Sequence, residues 1–319
     1  MSTYYMGMDL GSTSAECVII GADRSIVASE TVETGTVSRE GMRRAIDAAL
    51  ERAQLSRSEI AAAVGTGYGR RLIPGGVDLV FTEITCHARG VATLFPGVGL
   101  IIDIGGQDSK AIVVDESGMV DNFAMNDRCA SGTGRFYEVL GRAIETDIAD
   151  LGPLALRGRS DLDISSLCAT FAATEVISLL ASGEAPEDIA ASVHRAVSSR
   201  TLGLVAQVGK RTPIVLTGGV ARNPAAVHFL SEALGEPLQI PDDPQTTGAL
   251  GAALIASEIG TGGPAGVGRG DRWVDHRLGN QGSAGPGATP APGCEICGSP
   301  EDGRTTVPVT LASGRRVHS

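Results

Sequence analysis

Two cysteines in the second half of the chain are placed where a thiolate could react or bind metal. Cys129 precedes a short glycine-rich segment and then an apolar pattern of helical period, and Cys168 directly precedes a second such pattern. A helix N-terminus lowers the pKa of a thiol. Four thiolates hold an iron–sulfur cluster, so two cysteines per chain would complete such a site in a symmetric homodimer. The spacing alone favours small buried residues at helix starts, because no Cys-x-x-Cys pair lies nearby.

Acidic residues flank two glycine turns of the kind that hold phosphates. Residues 9–13 read Asp-Leu-Gly-Ser-Thr, and residues 103–108 read Asp-Ile-Gly-Gly-Gln-Asp. Backbone N–H groups in such turns can cradle phosphate, and an aspartate can organise Mg²⁺ or its water shell. Gln107 could orient an attacking water. Each turn alone could be an ordinary glycine hairpin, but the recurrence of the pattern in two similar halves favours phosphate binding.

A third glycine segment, residues 217–224, follows an apolar strand and could form a flat shelf for a base or ribose. The alternative is a plain strand–turn–helix connection, with Pro224 at the first helical position.

The predicted catalytic residues are Asp9, Asp103 and Gln107. The predicted nucleotide-binding residues are Gly11, Ser12, Thr13, Ser14, Gly105, Gly106, Gly218, Gly219, Asn223 and Gln245.

The elements that must position these residues repeat. Predicted strands at 4–10, 17–20 and 26–34 form one β-meander, and strands at 100–104, 111–114 and 119–123 form another. Such a duplication predicts an α/β protein with two lobes that face each other across a central cleft. We expect residues 1–98 to form the first lobe and residues 99–246 the second. The predicted helices are 40–54, 84–94, 132–146, 169–182, 187–208, 224–234 and 247–259, the last packing back on the first lobe.

Composition limits the function further. The net charge of −11 argues against a nucleic-acid or anionic-membrane surface. No apolar run approaches the roughly 20 residues of a membrane helix, and the first residues lack the pattern of a signal peptide, so a cytoplasmic location is expected. Residues 260–319 are rich in Gly, Pro and Ser and predict a disordered tail.

The remaining cysteines and histidines have simpler interpretations. Cys17 and Cys86 are expected in the core, and His87 and His194 are expected to be packed within helices. Residues 294–297 form a Cys-x-x-Cys pair in the tail, which could be half of a zinc or redox site.

Taken together, the three glycine segments resemble the two phosphate motifs and the adenosine motif of the actin, sugar-kinase and heat-shock-protein ATPase fold, which is ribonuclease H-like. Within that superfamily, residues 126–134 with Cys129, Cys168 before its helix, and residues 66–70 resemble the activators of 2-hydroxyacyl-CoA dehydratases. The ATPase subunits of benzoyl-CoA reductase are close relatives of these activators. The resemblance covers about residues 3–259.

This resemblance implies an ATPase that uses Mg²⁺ and a 4Fe-4S cluster shared across a homodimer, held by Cys129 and Cys168 of each chain. Ferredoxin or flavodoxin would supply an electron, and ATP hydrolysis would drive it into a partner acyl-CoA dehydratase or reductase. This sequence differs from the family pattern at Glu16, where relatives often carry a Lys. A carboxylate at this position would repel ATP unless it points away or binds Mg²⁺. The alternatives are an ATPase component of a benzoyl-CoA-type reductase, a small-molecule kinase of the same fold, and a non-redox nucleotide switch.

Overall fold

A computed structural model describes residues 3–73, 77–126, 132–164 and 169–260, together with 308–310 and 316–318. Cys129, Cys168, Cys294 and Cys297 lie outside the described residues. The strands are β1 (Tyr4–Leu10), β2 (Ser14–Gly21), β3 (Ile26–Glu33), β4 (Ile60–Thr66), β5 (Leu79–Val80), β6 (Leu100–Ile104), β7 (Ser109–Val114), β8 (Val120–Asn126), β9 (Ile214–Thr217), β10 (Leu238–Gln239), β11 (Pro308–Thr310) and β12 (Arg316–His318). The helices are α1 (Arg39–Ala53), α2 (Glu83–Leu94), α3 (Gly134–Ala143), α4 (Ile148–Ala155), α5 (Ala169–Ala181), α6 (Pro186–Val208), α7 (Pro224–Leu234) and α8 (Thr247–Gly260).

The two halves fold into sheets of the same topology. The first sheet has the order β3-β2-β1-β4-β5, and the second, read in the same direction, has the order β8-β7-β6-β9-β10. In each sheet the first strand of the half pairs antiparallel with its hairpin partner, and parallel with the strand that follows the next helix or helices. The predicted two-lobed α/β duplication is therefore confirmed.

Side chains alternate between the two faces of each sheet, which places the helices in layers. On β1, Met6 and Met8 pack with α1, whereas Tyr5 packs with α8. On β6, Leu100 and Ile102 face the helices of the second half, whereas Ile101 faces α2. The order of layers is therefore α1, first sheet, α8, α2, second sheet and the remaining helices.

The two central helices come from opposite halves. Helix α2 belongs to the first half of the sequence but buries Ile84, Ala88 and Val91 against the second sheet. Helix α8 packs on the first sheet, as the sequence predicted, and it also packs on α2. Helix α8 lies so close to β1 that a Cβ on Gly7 would clash with the α8 backbone, which explains the small residues along α8. The boundary of the first lobe at residue 98 stays a prediction.

Several element boundaries differ from the sequence expectations. The helix expected over 132–146 is shorter, because Glu145 adopts a left-handed φ of 54° that stops it. Helix α4 and strand β5 were not predicted. Within the predicted tail, Gly260 ends α8 and β11 and β12 pair antiparallel, and the other residues of that segment, apart from those of the two strands, lie outside the described ranges. Among the described residues, every helix is too short or too polar to cross a bilayer.

Candidate functional site

A cleft of about 730 Å³ opens between the two lobes. It is lined by nearly all of the residues that the sequence predicted for the site, namely Asp9, Gly11, Ser12, Thr13, Ser14, Asp103, Gly105, Gly106, Gly218, Gly219, Asn223 and Gln245. Three segments far apart in the sequence therefore converge on one cavity, as expected of a single ligand site.

Asp103 lies at the end of β6 between two polar neighbours on adjacent strands. In the register of the sheet, Lys110 on β7 and Thr217 on β9 both lie directly beside it. The Lys110 ammonium is 3.0 Å from Asp103 Oδ2, and the Thr217 hydroxyl donates to Asp103 Oδ1 at 2.9 Å. His87 Nδ1 on α2 lies 3.7 Å from the same Oδ1. Both oxygens of this carboxylate are held in place.

Lys110 binds two further carboxylates besides Asp103. Its Nζ is 2.8 Å from Glu83 Oε2 and 2.8 Å from Asp108 Oδ2. Glu83 is the first residue of α2, and His87 follows one helical turn later on the same face. The ammonium therefore joins α2, β6 and the second glycine turn at one buried point.

The first lobe places an acid where the second places a base. Asp9 is the penultimate residue of β1, as Asp103 is of β6, and each is followed seven residues later by a charged residue on the hairpin partner, Glu16 or Lys110. Glu16 pairs with Asp9 in register, is 3% exposed and lines the cleft, so it does not point away from the site. Two carboxylates thus lie side by side in the first lobe.

This asymmetry moves the pKa values of the two aspartates in opposite directions. Burial, reinforced by the charge of Glu83, holds the pKa of Asp9 well above its usual range, and burial and Asp9 do the same for the pKa of Glu16. Burial would also raise the pKa of Asp103, but His87 and Lys110 together hold it well below its usual value. Asp103 therefore carries a permanent negative charge, whereas the Asp9–Glu16 pair favours sharing a proton.

The same contacts shift the pKa values of Asp108 and Lys110, which lie beside the second glycine turn. Burial raises the pKa of Asp108 to about 6, with Lys110 opposing the shift and Glu83 and Asp103 adding to it. Burial alone would lower the pKa of Lys110, but its three carboxylate partners raise it well above the usual value. The ammonium is therefore protonated at all physiological pH values.

The two glycine turns approach each other across the cleft, and the second also holds a helix. A Cβ on Gly106 would lie 2.5 Å from Thr13 Oγ1 and 2.7 Å from Thr13 Cγ2. The N–H groups of Gly134 and Arg135, at the start of α3, donate to the carbonyls of Gly105 and Gly106 at 2.8 and 2.9 Å. A ligand that shifts this turn would therefore shift the N-terminus of α3.

The third segment follows β9 and lies beside the second glycine turn in the same lobe. Gly218 has φ 84° and packs against the Ile104 carbonyl so closely that a side chain is excluded. The Asn223 side chain caps α7 by accepting from two backbone N–H groups. Its amide nitrogen lies 2.9 Å from His194 Nε2, while His194 Nδ1 lies 2.7 Å from the Ala190 carbonyl. The carbonyl can only accept, so Nδ1 carries the proton and Nε2 accepts from Asn223.

Sequence reasoning missed several residues of the cleft, and one predicted residue lies outside it. Gln107 is exposed and is not among the cleft residues, so its role with the attacking water stays a prediction. The missed lining residues include Glu83, His87, Lys110, Tyr137 and Ile148. The repeat itself could have found Lys110, because it occupies the position that Glu16 occupies in the first half.

The predicted redox residues cannot be placed in this structure. Cys129 and Cys168 lie outside the described residues, which resume at Gly132 and at the start of α5. The helices that follow these cysteines, α3 and α5, pack against each other. Cys17 and Cys86 are fully buried with thiol pKa values raised to about 12 by burial, which confirms their assignment to the core.

Known proteins resemble this chain in sequence and in fold. Residues 6–256 match the BadF/BadG/BcrA/BcrD ATPase family. The (R)-2-hydroxyglutaryl-CoA dehydratase activating ATPase of Acidaminococcus fermentans is 43% identical over 256 residues, 80% of this chain and 98% of that protein. A benzoyl-CoA reductase subunit of Thauera aromatica is 34% identical over 212 residues, 64% of this chain and 74% of that protein.

A solved structure extends the similarity to three dimensions. The activator of 2-hydroxyisocaproyl-CoA dehydratase from Clostridium difficile, solved with bound ADPNP, has a TM-score of 0.78 and 42% identity, covering 82% of this chain and 96% of that one. The match spans both lobes and the cleft between them. On its sequence and its fold, the chain belongs to the BadF/BadG/BcrA/BcrD ATPase family.

Proposed function

We propose that this protein is an activator that hydrolyses ATP and passes a low-potential electron to a partner acyl-CoA dehydratase. The observation that carries the proposal is the pair of hydrogen bonds from the start of α3 to the second glycine turn. That turn faces the phosphate end of the cleft, and α3 begins five residues after Cys129. Nucleotide contacts and the cysteine segment are thus connected by the backbone.

ATP would lie with its phosphates between the two glycine turns. Backbone N–H groups and the hydroxyls of Ser12 and Thr13 face this part of the cleft. The base and ribose would lie toward the shelf at Gly218 and Gly219, near Tyr137 and Ile148 of α3 and α4. This placement uses each predicted motif in the role that its sequence implied.

The donor chemistry of the cleft fits Mg²⁺. Carboxylates outnumber cations among the lining residues, with Asp9, Glu16, Glu33, Glu83, Asp103, Asp108 and Glu138 against Lys110 and Arg222. Within the described ranges, no three ligand side chains converge to form a complete metal site. Mg²⁺ needs no such set, because it keeps several waters and binds one or two carboxylates together with phosphate oxygens. Asp103, which stays ionised, and Asp9 are the residues that would hold it.

Hydrolysis would change the contacts at the second glycine turn. Loss of the γ-phosphate removes a ligand that spans the two turns, and interlobe rotation is a common response to such a loss. Because Gly105 and Gly106 hold the α3 N-terminus, this rotation would reorient the segment that carries Cys129. The 4Fe-4S cluster implied by the family would be held by Cys129 and Cys168 of two protomers and would supply a one-electron carrier.

The partners follow from the same proposal. We infer that ferredoxin or flavodoxin reduces the homodimer in the cytoplasm and that an acyl-CoA dehydratase accepts the electron. The 43% identical relative is named as a dehydratase activating ATPase, which supports this partner. The similarity to a component of benzoyl-CoA reductase supports a second candidate, the ATPase component of an aromatic acyl-CoA reductase. The two candidates differ in whether the partner dehydrates a 2-hydroxyacyl-CoA or reduces an aromatic acyl-CoA.

An electron-delivery assay tests the proposal. Anaerobically purified protein is reduced with ferredoxin or flavodoxin and mixed with a 2-hydroxyacyl-CoA dehydratase, and dehydration is followed with ATP, with ADPNP and without nucleotide. We expect sustained activation only with ATP and Mg²⁺. Equal activation without nucleotide would contradict the coupling, and activation of an aromatic reductase alone would favour the second candidate. Phosphorylation of a sugar or of acetate would favour a kinase.

A further inference from the structure

Lys110 is one of only two lysines in a chain whose other positive side chains are arginines. It is 2% exposed and lies at the inner end of the cleft. A buried ammonium is costly unless its N–H groups are all satisfied. Here three carboxylates surround the ammonium, with Nζ–O distances of 2.8 Å to Glu83, 3.0 Å to Asp103 and 2.8 Å to Asp108, and the contact with Asp103 is a hydrogen bond.

The donor count decides what this lysine can do. An ammonium group has three N–H bonds, and oxygens of three carboxylates already lie within 3.0 Å of Nζ. A phosphate oxygen would have to compete with these carboxylates for the ammonium. We propose that Lys110 is a positioning residue, which fixes the carboxylates of Asp103 and Asp108 at the phosphate end of the cleft and ties them through Glu83 to α2. The inference rests on the proposed ATP hydrolysis.

The first lobe offers an internal comparison. Its equivalent of Lys110 is Glu16, which makes no ion pair in the described part of the chain and lies beside Asp9. The aspartate of the second lobe is therefore fixed by a cation, and that of the first lobe is not. Asp103, the fixed carboxylate, is also adjacent to the turn that holds α3. A rigid site in the second lobe would therefore couple a change in the nucleotide contacts directly to a movement of α3.

Helix α2 gives the cluster a second connection. Glu83 opens this helix, which packs between α8 and the second sheet. His87, on the same helix, contacts the Thr247 hydroxyl at 3.2 Å at the start of α8. Lys110 thus contacts α2 through Glu83, and α2 in turn contacts the start of α8 through His87.

A charge-balanced double variant separates positioning from simple attraction of phosphate. Glu83→Gln with Lys110→Met leaves the net charge of the cluster unchanged but removes the donor that Asp103 and Asp108 share. Because a misplacement of about 1 Å can cost about 100-fold in rate, we expect kcat for ATP hydrolysis to fall about 100-fold. The KM for Mg-ATP should change less than about threefold, because the charge facing the phosphates is preserved. A rise in KM with wild-type kcat would overturn the proposal and make Lys110 a phosphate ligand.

A second substitution and a control keep the test decisive. Lys110→Arg keeps the charge, but a planar fork cannot meet three separate oxygens in the same way. We expect a folded protein with kcat lowered at least about tenfold, and wild-type kcat in this variant would also overturn the proposal. Lys210→Met, which changes the half-exposed lysine beside Glu236, should leave kcat unchanged. If wild-type protein with Mg²⁺ hydrolyses no ATP, the proposed function fails; if it does and both Lys110 variants match it, only this inference fails.

Discussion

Replacing Gly106 by alanine should force the two glycine turns apart. The new Cβ would lie 2.5 Å from Thr13 Oγ1, 2.7 Å from Thr13 Cγ2 and 3.1 Å from Ser12 Oγ. Ordinary contacts between carbon atoms are about 3.5–4.0 Å, so the turns must separate by about 1 Å. Rotation of Thr13 gives little relief, because both of its heavy branches face Gly106. The φ of Gly106 is not in the left-handed region, so the effect comes from the contact rather than from backbone strain.

A separation of this size predicts a large effect on turnover. About 1 Å of misplacement can cost about 100-fold in rate, equivalent to about 2.7 kcal/mol in the barrier. We expect Gly106→Ala to lower ATP hydrolysis by about that factor, measured as phosphate release under saturating Mg-ATP. Gly203→Ala is the matched control, because a Cβ at that position of α6 meets open space, and its turnover should equal that of the wild type.

A double variant identifies the contact responsible. Thr13→Ala removes both branches, so Gly106→Ala combined with Thr13→Ala should be about as active as Thr13→Ala alone. Wild-type turnover in Gly106→Ala would refute the idea that the two turns must stay in contact. Additive losses in the double variant would show that the alanine acts elsewhere.

Further perturbations address the metal, the cluster and the protonation of a buried histidine. Asp103→Asn should lower Mg-ATP hydrolysis at least about 100-fold without loss of the brown colour of the anaerobic protein, measured by phosphate release and absorbance; unchanged turnover would remove Asp103 from the site. Cys129→Ser or Cys168→Ser should abolish the cluster while ADPNP binding, measured by calorimetry, stays near wild type; normal electron delivery by either variant would contradict the assignment. Burial lowers the pKa of His194 to about 4, against about 6.5 in the unfolded chain, so the folded state binds fewer protons and stability is lost as pH falls through this window. Between pH 7.5 and pH 5 this amounts to about 2 kcal/mol in the free energy of unfolding, and His194→Gln should show a correspondingly flatter dependence in chemical denaturation; an identical slope would contradict it.

Most of the cleft residues named from the sequence belong to local motifs. The glycine turns after β1 and β6 are each a continuous run of residues, and their recurrence revealed the duplication that brings Asp9 and Asp103 to one cleft. The hairpin register then places Lys110 beside Asp103, seven residues later, as it places Glu16 beside Asp9. The contact between Lys110 and Asp103 could have been predicted from the sequence, because the same spacing occurs in both halves.

Other parts of the site depend on tertiary packing that no local pattern encodes. Glu83 reaches Lys110 because α2 crosses to the second sheet, although its sequence lies in the first half. Ile148 enters the cleft on α4, a short helix with Pro153 inside it and no side-chain capping bond, so its pattern resembles a loop. Cleft residues of this kind can be identified only from the folded structure.

In the proposed function, two protomers share one iron–sulfur cluster under the control of ATP. The most direct measurement is the iron and acid-labile sulfide content of anaerobically purified protein, together with its mass in solution. We predict about two iron and two sulfide per chain in a dimer, and their loss when Cys129 and Cys168 are both replaced by serine. Iron-free protein that still delivers electrons, or iron retained after both replacements, would contradict the shared cluster.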